Sequence, residues 1–269
     1  MTSPSDDTPP SGDTGHPEGT GHPEDTGHPD DTALARHALE NFGEMLSVVA
    51  RWGVGPHAVV RRTDAVGARM THVGQSPWYD AAVVPLGATP PADDPSLPYC
   101  LWTTADRADG RIEDTSIAMP CMGLLLDRHR PDPGIRSVTV ETPSLEEVGG
   151  MNDRAYGTDG LLRPMAARIR DERVTAHGVR VDGRFVCTAM TLPLGDDLGI
   201  HYVATESDHR RRGLATALLT AVLDAAAAEG MRSATLQASP DGRPVYLRMG
   251  FHQVELLHAM VRPPAPPAE

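Results

Sequence analysis

The stretch from Gly199 to Gly230 constrains this chain more than any other. Ile200 to Thr205 is an apolar, β-branched run of strand type, Glu206-Ser207-Asp208-His209 is polar, and three consecutive arginines, Arg210 to Arg212, then meet Gly213. Beyond the glycine, Leu214, Ala217, Leu218, Ala221, Val222 and Ala225 recur at offsets of three and four until Gly230. That is the period of a helix with one apolar face and a glycine stop. The stretch reads as strand, short loop and helix, which puts the arginine-glycine segment at a helix N-terminus. Amides there lack intrahelical acceptors and carry the positive end of the helix dipole, favouring an anion by roughly 0.3–1 kcal/mol. The guanidinium groups add fixed positive charge, and Gly213 removes a side chain where phosphates would approach the backbone. The loop is predicted to bind a phosphate-bearing ligand.

Spacing narrows the ligand. A Walker loop needs Gly-x-x-x-x-Gly-Lys and a dinucleotide fold needs Gly-x-Gly-x-x-Gly; neither is present, and the chain contains no lysine. Arg210-x-x-Gly213-x-Ala215, after a strand and before an Ala/Leu helix, resembles the acetyl-CoA loop of the GNAT acetyltransferase superfamily, Gln/Arg-x-x-Gly-x-Gly/Ala. Further on, Ser233 to Gln237 reads as a strand, Pro240-Asp241-Gly242 as a turn, Arg243 to Met249 as a short helix and His252 to Val261 as a last strand. Between them, Tyr246 followed by Gly250-Phe251 is similar to the family's Tyr-x-x-x-Gly-Phe signature. The resemblance covers roughly residues 136 to 262. It implies an α/β (α+β) fold with a mixed, mostly antiparallel sheet flanked by helices, and acetyl-CoA as cosubstrate. The CoA diphosphate would be held by Arg210, Arg211, Arg212, Gly213, Leu214, Ala215 and Thr216.

With 269 residues the chain has room for a second unit beside that domain. From Thr32, a plausible cap, Leu34, Ala38, Phe42, Met45, Val49 and Trp52 mark one helical face ended by Gly53. Strand-like runs follow at His57 to Arg61, Ala81 to Pro85, Tyr99 to Thr104 and Met122 to Leu126, between Pro/Gly/Asp-rich loops. Residues 33–130 are therefore expected to form a smaller N-terminal α/β lobe in tandem with the second. It is either a degenerate copy of the same fold or an unrelated unit that walls the acceptor groove. Residues 131–135, which hold Pro131, Pro133 and Gly134, read as a linker. The second domain, 136–262, then opens with a strand at Ser137 to Glu141, a helix capped by Ser144 with Glu147 three residues on, and a hairpin of Thr175 to Val181 and Arg184 to Leu192 around Gly183.

Composition removes several alternatives. Net charge is −13, which disfavours nucleic-acid binding. Eight of the acidic side chains fall in residues 1–32, where no arginine offsets them. That tail repeats Thr-Gly-His-Pro-Glu/Asp from Thr14, Thr20 and Thr26; Gly, Pro and acid of this kind cannot form a core, and disorder is expected. Its three histidines beside carboxylates read either as a nickel- or zinc-scavenging tail or as repeat expansion in a tolerant terminus. Residues 263–269 are likewise expected to fray. No apolar run approaches the roughly 20 residues of a membrane span, and the N-terminus is polar rather than signal-like, so a cytoplasmic protein without membrane contact is expected. Cys100, Cys121 and Cys187 lack metal or redox spacing and read as buried thiols.

Acetyl transfer from a thioester to an amine needs a held CoA, a polarised carbonyl, a neutral amine and a proton for the leaving thiolate. Relatives splay the strand before the CoA loop away from its neighbour and use the freed amides on thioester and pantetheine; by position the resemblance implies this for Val203, Ala204 and Thr205. Tyr246 is the candidate acid, because a phenol near pKa 10 is a fair match to a thiol near 8.5. Some relatives carry a glutamate early on that strand, where this chain has Gly199. His201, two residues on and on the same face, is the candidate base, with Glu206 or a water-mediated path as alternatives. The expected activity is N-acetylation of a small-molecule or protein amine; the competing expectation is a non-catalytic CoA sensor.

Overall fold

A computed structural model describes residues 29–261, apart from 54, 75, 92, 93, 95, 105–112, 132 and 159. Residues 1–28, which hold the three repeat histidines, and residues 262–269 lie outside the described residues, whereas Pro29 to Thr32, expected to be disordered with the repeat, are helical. The chain enters on a helix of 23 residues, α1 (Pro29–Arg51). It begins before the expected cap at Thr32, because Asp30 and Asp31 fill its first turn, where carboxylates meet the positive helix end, and a first-position proline suits the helical φ. The expected apolar face is buried at Leu34, Ala38, Met45 and Val49.

Four short strands follow, β1 (Ala58–Arg61), β2 (Val66–Arg69), β3 (Ala81–Val83) and β4 (Cys100–Thr103), and then the long β5 (Glu113–Leu125). The second half contributes α2 (Leu145–Tyr156), α3 (Leu162–Ala166), β6 (Thr175–Val181), β7 (Arg184–Leu194), β8 (Asp197–Thr205), α4 (Leu214–Ala228), β9 (Ser233–Gln237), α5 (Arg243–Arg248) and β10 (His252–Val261). The Ser144–Glu147 capping box forms at the start of α2, with each partner satisfying the other's free amide, and Gly157 closes the helix in the left-handed conformation. Ser137 to Glu141 is not a strand: Val138 and Val140 pack against the core, but the segment meets β6 only at a single bridge, Glu141 to Gly178.

All ten strands join one sheet in the order β1-β2-β3-β4-β10-β5-β9-β8-β7-β6, antiparallel except for β3–β4 and β8–β9. This corrects the expected division at 131–135. β5, from the first half, lies between β9 and β10 of the second and pairs with both, so neither half closes its sheet alone and the break in composition is a loop within one structure. Without β5, two strands would present unpaired edges. The first half runs as one α-helix and five strands with no counterpart of α4 or α5 among the described residues, so a second copy of the fold is not evident in it. On one face of the sheet α4 buries Leu218, Leu219, Val222 and Leu223 against Cys187, Leu198, Ile200 and Leu236. On the other, α1, α2 and α3 bury Met45, Val48, Val148 and Met165 against Ala176, Met190 and Leu192.

Candidate active site

β8 and β9 run parallel and pair from Asp197↔Ser233 to Ile200↔Leu236, and there the pairing stops. β8 nonetheless continues to Thr205, still paired with β7 as far as Cys187, so a gap opens between the two parallel strands. Its origin is a bulge. The β7–β8 register slips between Thr188↔Ala204 and Met190↔His201, and Tyr202 takes a left-handed φ of 53°. His201 and Tyr202 consequently face the same side, towards α1–α3, while Val203 turns to the α4 side. Such an extra residue bends and twists a strand out of its ladder.

The register decides which backbone groups enter the gap. Ala204 is opposite Thr188, and the Glu206 N–H donates to Val186 O at 2.9 Å. By strand alternation Ala204 points to β7 while Val203 and Thr205 turn away from it. Of the three residues Val203, Ala204 and Thr205, only Ala204 therefore directs its amide to β7. The Val203 carbonyl accepts from Tyr156 Oη at 3.2 Å and the Thr205 carbonyl from Arg210 Nε at 3.2 Å. Their N–H groups have no partner across the gap among the described residues.

The loop after β8 makes one 3-10 turn, Ser207–His209, and then rises into α4 through Arg211 at φ 61° and Gly213 at φ 76°. A Cβ at position 213 would meet nothing within 4 Å, so the dihedral, not space, demands glycine there. No side chain caps α4 and no acidic residue occupies its first turn, which leaves the N–H groups of Leu214, Ala215 and Thr216 open to an external anion. Arg210, Arg211 and Arg212 are exposed beside them. Arg212 is tied to the Asp208 carbonyl at 2.7 Å, and none of the three forms an ion pair with a carboxylate among the described residues.

Two tyrosines approach the gap from opposite faces. Tyr246, on α5, is 7 % exposed and packs edge-on to Phe251 with ring centroids 6.0 Å apart. Burial, then the neighbouring Tyr156 and Cys187, push its pKa above the ordinary phenol value, so it holds its proton across the physiological range. Tyr156, the last residue of α2, brings its hydroxyl to Val203 and near Ser239 and Arg210. Burial of that end raises its pKa, against the Ser239 hydroxyl and the Arg210 guanidinium, which lower it.

His201 departs from its expected role. Its Nε2 lies 3.2 Å from Asn41 Oδ1 of α1, and the Asn41 amide nitrogen donates in turn to Asp197 Oδ2 (3.0 Å) and Leu192 O (3.2 Å). With both amide hydrogens spent on oxygens, Asn41 Oδ1 faces His201 as an acceptor, which makes His201 Nε2 the donor. Burial also pushes its pKa down to about 3. An imidazole this weakly basic does not hold an ammonium proton at neutral pH. Glu206 is committed to Arg154, at 2.5 Å. The three cysteines are buried and free, and burial raises each thiol, Cys187 to about 11. No cluster of His, Cys, Asp or Glu suited to a metal occurs among the described residues.

Asn41 has no role in the sequence reading, and Asn152 and Tyr156 fall in a stretch, Asn152 to Leu162, expected only to line the acceptor groove; all three instead bond to β8 or its side chains. Each acts on β8 from a helix far away in sequence, and no local pattern marks such a contact.

The sequence family described as the acetyltransferase (GNAT) domain matches residues 146–258. No curated protein sequence matches the chain. Among solved structures, a GCN5-related N-acetyltransferase from Kribbella flavida has a similar fold, at TM-score 0.57 and 18% identity over 84% of this chain and 95% of that one. A functionally unknown conserved protein from Staphylococcus epidermidis matches at TM-score 0.52 and 8% identity, over 76% of this chain and 92% of that one. Coverage of this breadth reaches well into the first half, in keeping with a single shared sheet. The segment that supplies β8, its bulge, the arginine-glycine loop and the Tyr246 helix is a GNAT acetyltransferase domain.

Proposed function

We propose that the protein is an acetyl-CoA-dependent N-acetyltransferase that transfers an acetyl group to a primary amine, of a small molecule or a protein, by direct attack in the cytoplasm. The observation that carries this reading is the parting of β8 from β9 after Ile200 and Leu236, with the uncapped start of α4 at its end. The gap offers a slot with free Val203 and Thr205 amides for an extended pantetheine arm. The exposed arginines and the N–H groups of Leu214 to Thr216 suit a diphosphate. These residues fit acetyl-CoA, which when bound supplies the activated acyl group.

Within that arrangement the Val203 N–H is the group placed to bond the thioester oxygen as charge develops on it. Tyr246 is the proton donor for the departing thiolate. With His201 bonded to Asn41 and Glu206 to Arg154, the amine loses its proton to water. The same engagement of His201 by Asn41 and Glu206 by Arg154 supports a second reading, a CoA-binding sensor without turnover. The Arg/Gly loop would serve both.

Calorimetric titration with acetyl-CoA, paired with free-thiol release over polyamines, aminoglycosides, amino acids and peptides, separates them. Saturable binding with thiol release for one acceptor class supports the enzyme. Binding without release for every class supports the sensor, and no binding removes both.

A further inference from the structure

Two polar side chains of α2, one helical turn apart, converge on one spot. Asn152 Nδ2 donates to the Tyr202 carbonyl at 2.8 Å, and to Val148 O in its own helix at 3.0 Å. Tyr156 Oη donates to the carbonyl of the next residue, Val203, at 3.2 Å. Positions i and i+4 of a helix share a face, and here that face grips two consecutive carbonyls of the β8 bulge. The bulge is not self-sustaining, since Tyr202 sits at φ 53°, a left-handed conformation that is unfavourable for a residue with a Cβ and persists only when its surroundings impose it.

A peptide unit is planar and trans, so the carbonyl of one residue and the N–H of the next point in opposite directions. Fixing the Tyr202 carbonyl on Asn152 therefore fixes the Val203 N–H, aiming it away from α2. Fixing the Val203 carbonyl on Tyr156 in turn holds the following unit, whose N–H, that of Ala204, faces β7. Asn152 is 3 % exposed and leaves its own Oδ1 buried without a partner. Turning the amide over to satisfy that oxygen would set it against two carbonyls, so the observed orientation is the one that serves the bulge.

We propose that Asn152 and Tyr156 are positioning residues for acyl transfer: α2 is the brace that aims the Val203 N–H at the thioester oxygen. The inference rests on the acetyltransferase reading and adds to it the part of the chain that sets the direction of the polarising amide. Neither side chain touches the reacting atoms in this role. Loss of either lets the 202–203 unit turn, weakening polarisation of the carbonyl while leaving the diphosphate grip at α4 intact.

The test compares the full chain with Tyr156→Phe and Asn152→Leu. The first keeps the ring at a half-exposed position and folds with little perturbation; the second keeps side-chain bulk but removes the donors, and circular dichroism checks its fold. Three quantities are read: the affinity for CoA by calorimetry, the turnover number with an identified amine, and the infrared carbonyl band of bound [1-13C]acetyl-CoA, which shifts to lower frequency in proportion to polarisation. The expected result is CoA affinity within about twofold of wild type, turnover down about tenfold and the band moved back towards its position in water. That loss is smaller than the roughly 10²–10³-fold that removing an oxyanion donor outright costs. A helix that merely packs on β8 would not move the band. Wild-type protein with a shifted band, and variants that keep both the shift and the turnover, would overturn the brace alone. Wild-type protein that binds no acetyl-CoA would sink the acetyltransferase reading, and the brace with it.

Discussion

The side-chain amide of Asn41, on α1, occupies the space that a Cβ on Gly199 would need, so helix α1 presses directly on the backbone of β8. Position 199, where the family resemblance implies a carboxylate in other chains, is here covered by the side chain of another element. Asn41 then links Asp197 and His201, both on that face of β8.

Gly199→Ala should therefore lower stability by about 1–3 kcal/mol, the cost of overpacking a close-packed site. In a double-mutant cycle Asn41→Ala relieves part of that penalty, because the clash disappears with the amide. Urea denaturation reads the four stabilities. Strictly additive losses would show that the two residues do not meet.

Burial lowers the pKa of His201 in the folded chain from 6.5 to about 3. Between those values the unfolded chain binds a proton that the folded one refuses. The contribution is complete above about pH 6.5 and is lost as the pH falls towards 3. His201→Gln should flatten the acid limb of a stability-against-pH curve. In the wild-type protein kcat/KM should show no histidine ionisation between pH 6 and 9, and one near 6.5 that vanishes in the variant would restore His201 as base.

Tyr246→Phe should reduce kcat by about 10²-fold, within the range of general-acid contributions, with acetyl-CoA affinity unchanged. The ring stays packed on Phe251, so the fold is preserved. Equal turnover in the two proteins would take Tyr246 out of the reaction.

Gly213→Ala meets no neighbour, and its cost is the left-handed dihedral alone, about 1–2 kcal/mol. It should also weaken acetyl-CoA binding, because the new methyl stands at the start of α4 where the diphosphate approaches. Thermal melts and calorimetry separate the two effects, and unaltered affinity would place the diphosphate elsewhere.

Much of this architecture was legible locally. The β6–β7 hairpin, the Ser144 capping box, the Gly213 start of α4 and the short Tyr246 helix each announce themselves within a dozen residues, through period, cap or turn chemistry. What was not legible is what the chain does at a distance. The pairing of β5 with β9 and β10 leaves no mark on β5 beyond apolar residues. Val138 and Val140 alternate as a strand would and are partly buried, yet the segment pairs with β6 only at Glu141. His201 sat on the expected face, but its environment comes from α1. Asn152 and Tyr156 look like ordinary helix positions until the β8 bulge beneath them is seen.

Because β5 is wedged between β9 and β10, the order of synthesis and the order of assembly cannot coincide. A ribosome delivers β5 well before either of its neighbours has been made, and the growing polypeptide has to carry it without a mate until residues 233–261 emerge. Completion of the sheet thus waits until β9 and β10 have been made, and a chain interrupted before β9 would expose two unpaired strand edges to any other nascent protein nearby.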